Sequence, residues 1–156
     1  MNKLVLTALG VMAISACNTN PFLTEWTGAD AFPPFDKIKT SDFVPAVKAG
    51  IEQQEAEVNA IVTNEAAPTF ENTIAAYELS GEILAKTLGV LYNVSESDAT
   101  PEMQAVMDEV TPLLTASSDN IFMNKAFFER VKAVYADSSS LDREQYMVTK
   151  KLYKYF

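Results

Sequence analysis

Glu52, Glu55 and Glu57 lie close together in the chain, as do Glu102, Asp108 and Glu109. Either set has carboxylates enough for general acid–base work or for a hard divalent cation. Both fall on helix faces opposite the apolar ones, so a solvated surface is the plainer expectation. Histidine is absent from all 156 residues. This stretch of polypeptide therefore cannot form Ser-His-Asp or Cys-His nucleophiles, histidine bases or the usual zinc sites. No catalytic or metal-ligating residue is expected within it. The segments SESDATPE (95–102) and DSSSLDRE (137–144) look superficially like calcium loops. Both lack the turn glycine and the closing glutamate at proper spacing, and they read as caps and linkers. The sequon Asn93-Val94-Ser95 reads as chance.

Cys17 is the only cysteine, which leaves no material for disulfides or a zinc finger. Ahead of it stand Lys3, an apolar run from Leu4 to Ile14 too short to span a bilayer, and the tetrapeptide ISAC. Residues 1–17 resemble a bacterial lipoprotein signal, which implies that Cys17 is lipidated and becomes the new N-terminus. An ordinary cleaved signal or an N-terminal membrane helix are the alternatives. Asn18 stands where some bacteria place the aspartate that retains lipoproteins in the inner membrane. The expected location is thus the outer membrane, lipid-anchored and facing the periplasm. A formal charge of −9 repels phosphate backbones, so no nucleic-acid partner is expected.

Residues 18–41 hold Pro21, Pro33 and Pro34 with Trp26 and three phenylalanines and show no period, which reads as an extended arm. Phe22, Leu23, Trp26, Phe32 and Phe35 are too apolar for water and are expected to lie against a helical body. A peptide-binding aromatic platform is the functional alternative.

Residues 42–156 follow a helical period, and strand-type alternation is absent throughout. Asp42 is the expected N-cap of a first helix, with Pro45 in its first turn and Val47, Ile51, Val58, Ile61 and Val62 on one face. Thr69 caps a second, in which Phe70, Ile74, Tyr77, Gly81, Leu84, Leu88 and Leu91 keep a heptad seam. Gly81 within that seam predicts close approach of another backbone. Thr100-Pro101 opens a third helix through Met103, Val106, Met107, Val110, Leu113 and Leu114, with a kink expected before Pro112. Asn124 starts a fourth, carrying Phe127, Phe128, Val131, Val134 and Tyr135, and Asp142 with Gln145 starts a fifth. The fold class is all-α: five helices in an antiparallel array.

The final VTKKLYKYF continues a helical pattern in which Tyr146, Thr149, Leu152, Tyr153 and Phe156 align, with no stop signal after it. An interrupted helix is the expectation. The alternative is a basic amphipathic foot of Lys150, Lys151 and Lys154 on anionic lipid.

NPFLTEW (20–26), PPFDKIK running into DFVPAV (33–47), PTFENTIAAYELSG (68–81) and, more loosely, MNKAFFERVKAVY (123–135) resemble the N-terminal helical region of one peptidase family. It comprises the peptidyl-dipeptidases with the thimet oligopeptidase and oligopeptidase A group of zinc metallopeptidases. The likeness runs from Asn20 to Phe156. It implies a helical protein several times this length, with two halves around a deep channel and zinc at its floor. An H-E-x-x-H helix and a downstream glutamate hold that zinc. The first helices would form channel wall, and the complete enzyme would release C-terminal dipeptides from short peptides. None of those catalytic positions exists here, so the resemblance implies the opening piece of such an enzyme, inactive alone and completed by a C-terminal catalytic region that carries the zinc. The rival reading is a stand-alone helical lipoprotein that binds a peptide or protein without catalysis.

Overall fold

The computed structural model describes residues 19–27 and 32–156, all helix and connection with no strand among them. Cys17 and the signal-like segment 1–17 lie outside the described residues.

Helix α1, Thr40–Val62, is the spine. Its start differs from the expected one. Lys39 occupies the cap position, and Asp42, at the third helical residue, accepts a hydrogen bond from the Lys39 amide at 2.8 Å. That places a carboxylate on the free amides of the first turn. Pro45 consequently falls in the second turn, where its ring removes one bond of the helical ladder.

The second expected helix is not one helix. A π-helical turn, Phe70–Ala75, capped by the Thr69 hydroxyl and reciprocally by Asn72, runs into the short α2, Ala76–Glu78. The chain then breaks, and α3, Glu82–Ser97, begins after Gly81, whose φ of 72° lies in the left-handed region that glycine alone visits freely. The break redirects the apparent seam. Phe70, Ile74 and Tyr77 join one core, while Leu84, Leu88 and Leu91 join another.

Thr100 caps α4, Pro101–Phe122, by accepting from the Met103 amide at 3.2 Å, and Pro101 takes the first position. The helix runs on through Pro112. Asn124 caps α5, Lys125–Ala136, and Asp142 with Gln145 forms a reciprocal capping box on α6, Arg143–Tyr153.

Two apolar clusters result. In the first, Phe43, Ala46 and Val47 of α1 meet Leu84, Val90 and Leu91 of α3 and Met103 and Val110 of α4. In the second, Val58 and Ile61 of α1 meet Ile74, Ile121 of α4, Phe127, Val131 and Val134 of α5, and Leu152 of α6. Because α1 and α4 pass through both, neither cluster can unfold without fraying a helix that supports the other.

The aromatic arm docks only in part. Phe22 is completely buried beside Phe43, at 5.2 Å between rings, and Asn20 ties the arm to α1 through the Asp42 carbonyl at 2.7 Å. The Trp26 indole donates to the Pro21 carbonyl, with the Lys86 ammonium 5.3 Å from its ring centre. Leu23, Phe32 and Phe35 remain exposed, contrary to expectation.

Candidate functional site

The six candidate carboxylates do not converge. Glu52 is exposed, and Glu55 meets only the Asn120 amide, at 3.4 Å. Glu102 lies in the first turn of α4, where a negative charge favours the helix start. Asp108 accepts from Gln104 a turn earlier on α4, and Glu109 pairs with Lys48 at 2.8 Å. Both side chains of that pair are 54% exposed, so it is worth at most about 1 kcal/mol. Glu57 has a structural task that spacing did not disclose. Its Oε2 accepts from the Gly81 amide at 2.7 Å, while Gln53 receives the Ile83 amide at 3.3 Å. Two α1 side chains thus satisfy the start of α3.

The two calcium-like segments resolve into caps. Ser97 donates back to the Asn93 carbonyl, Thr100 caps α4, Ser140 donates to Asp137, and Asp142 caps α6. Among the described residues no three His, Cys, Asp or Glu side chains are grouped to hold a metal ion. With no histidine in the sequence, the residues here do not fit the family's zinc, and no step is derived through it.

Arg130 of α5 has a structural role that no spacing or periodicity in the sequence signals. Its guanidinium donates to the Asn64 carbonyl at 2.8 Å, the Ala66 carbonyl at 3.2 Å and the Asn72 side chain at 3.1 Å. It clamps the α1-to-π-turn connection from a position 58 to 66 residues away in sequence. Its planar fork is what allows three acceptors at once, a geometry lysine lacks. Arg130→Met is expected to lower stability by about 2 kcal/mol, since the acceptors lie near water and recover part of the loss. Arg130→Lys should recover less than half of that deficit in urea unfolding followed by circular dichroism.

The C-terminal residues form a continuous aromatic path. Tyr146, Tyr135 and Tyr153 stack in sequence, with 4.5 Å between the last two rings. Phe128 links Tyr153 to Phe156, and Phe156 touches Phe122 and Phe127 at 5.4 and 5.5 Å. Helix α6 ends at Tyr153, and the last residues turn back so that Phe156 reaches this cluster. Lys150 lies over the Tyr146 ring at 5.5 Å. Tyr77 packs on Phe127, and burial first, then electrostatic repulsion from Glu78 and Tyr155, raises its phenol above the ordinary tyrosine value. Met123, between α4 and α5, is 82% exposed beside this path, and Tyr155 is 61% exposed.

The fold and its polar groups therefore define a helical building element, with surface carboxylates, side-chain helix caps and no assembled reaction centre among the described residues. No family model matches the chain. Its sequence is 36% identical over 124 residues to dipeptidyl carboxypeptidase of Salmonella typhimurium, covering 80% of this chain and 18% of that protein. It is 32% identical over 139 residues to dipeptidyl carboxypeptidase of Escherichia coli, covering 88% of this chain and 20% of that one. Oligopeptidase A of Salmonella typhimurium is 27% identical over 100 residues, or 64% of this chain and 14% of the relative. The chain is a homologue of the dipeptidyl carboxypeptidases and oligopeptidases A, the thimet oligopeptidase family, and spans about a fifth of the length of the two dipeptidyl carboxypeptidases.

Proposed function

We propose that this chain is the N-terminal helical segment of a zinc peptidyl-dipeptidase, contributing channel wall and not chemistry. The observation that carries the reading is the match to two dipeptidyl carboxypeptidases over 80% and 88% of this chain, at 18% and 20% of theirs. In the complete enzyme, zinc held elsewhere would activate water for hydrolysis. What this segment adds is a rigid boundary: α1 and α4 run through two cores, so the face they present keeps its shape when a short peptide passes it.

A chimera tests this. Residues 19–156 replace the matched segment of the Salmonella typhimurium dipeptidyl carboxypeptidase, and release of C-terminal dipeptides is measured. The expected chimera keeps activity to within about a hundredfold, the loss produced by a misplacement of about 1 Å. A folded, zinc-loaded chimera with no dipeptide release would overturn the reading.

The proposed anchor is lipid on Cys17, at the outer membrane facing the periplasm. Among the described residues no helix is long and apolar enough to cross a membrane. Expressed with its leader in a bacterial host, the chain is expected in the membrane fraction, with a mass increase on the peptide that begins at Cys17. Cys17→Ser should abolish both, and an unmodified membrane-bound variant would contradict the anchor.

A further inference from the structure

Met123, Tyr155 and Phe156 form the exposed part of the aromatic path, around a shallow groove lined by Phe122, Asn124, Lys125 and Phe128 as well. Large apolar side chains gathered on one surface mark an interaction site more often than they are left bare. This end of the molecule is also electrically unlike the rest. Residues 125–156 hold seven of the 12 Lys and Arg but only four of the 21 acids, so a basic, aromatic end sits on an acidic chain.

We infer that this patch is the docking surface for the catalytic portion of the same polypeptide, a proposal that rests on the function just proposed and deepens it. Two observations choose that occupant. The matched segment is 18% and 20% of the two dipeptidyl carboxypeptidases, so most of a full-length relative lies outside it. The Phe156 ring lies within the patch, against Phe122, Phe127 and Phe128, so a polypeptide continuing beyond it leaves from the patch itself. Such a neighbour has the highest effective concentration of any candidate partner. Lys125, exposed in the lining of the groove, favours acidic side chains on the docked face.

Met123 supplies its own reporter, because methionine oxidation follows exposure. The rate of Met123 sulfoxide formation in dilute peroxide is read by mass spectrometry in two proteins: the isolated 156-residue chain and the active chimera described above. The expected result is oxidation slower by about tenfold or more in the chimera, as burial of the sulfur requires. Unchanged oxidation in a chimera that still releases dipeptides would overturn the docking surface and leave the peptidase reading intact. An inactive chimera would remove that reading and the docking surface with it. Protection of Met123 in the isolated chain as its concentration rises would assign the patch to a second copy instead. Salt-reversible protection by phosphatidylserine vesicles would assign it to a lipid surface, and either result overturns the proposal.

Discussion

Gly50→Val is expected to lower the unfolding free energy by about 3 kcal/mol, the upper end of what overpacking costs. A Cβ at position 50 would lie 2.7 Å from the Leu84 amide nitrogen and 2.8 Å from its Cα. Both are backbone atoms of α3, so no side chain can swing aside, and α1 and α3 must separate along the most extensive helix contact among the described residues. Even Gly50→Ala should destabilise, despite the gain of about 1 kcal/mol that alanine brings to a helix interior. Gly89 provides the opposite sign. A Cβ there meets nothing within 4 Å, so Gly89→Ala should stabilise by about 0.5–1 kcal/mol. Urea unfolding of the three variants measures both effects, and equal shifts at positions 50 and 89 would mean that the close approach of α1 to α3 is wrong.

Phe127→Ala should be at least as severe, about 3–5 kcal/mol. Phe127 is fully buried, with Tyr77 at 5.1 Å and Phe156 at 5.5 Å between ring centres. Removing the ring opens a cavity where the π-turn, α5 and the C-terminal residues meet. The variant also tests whether the two cores melt together. The single tryptophan, Trp26, packs on the first core, whereas Phe127 is in the second. Continuity of α1 and α4 through both predicts that tryptophan fluorescence and helical circular dichroism shift to lower urea by the same amount. A tryptophan transition that stays in place while the circular dichroism moves would show two independent units.

The sequence disclosed what local rules govern. The faces of α1, α4 and α5 carry the expected residues, and Thr69, Thr100, Asn124 and Asp142 cap where side-chain chemistry says they should. It failed where the deciding contact is distant. The heptad spacing from Phe70 to Leu91 survives the break at Gly81, so the sequence shows one seam where the fold serves two cores. The glycine that admits a neighbouring backbone is Gly50, whereas the atoms nearest a Cβ on Gly81 belong to the Gln54 side chain, at 2.8 Å and beyond. The cap lies at Lys39, three residues before Asp42, and Asp42 instead accepts from the Lys39 amide as the third residue of the helix. The clamp made by Arg130 and the support of α3 by Glu57 join residues 24 or more apart, and no periodic signal encodes them. The absence of histidine was legible at once and bears most directly on function.

A histidine-bound zinc centre cannot be built from these 156 residues, which contain no histidine. The most direct measurement incubates the purified 156-residue chain, supplied with zinc, with a short unblocked peptide and follows dipeptides by mass spectrometry. No release above the protein-free control is expected. Dipeptide release that a chelator abolishes and zinc restores would contradict it.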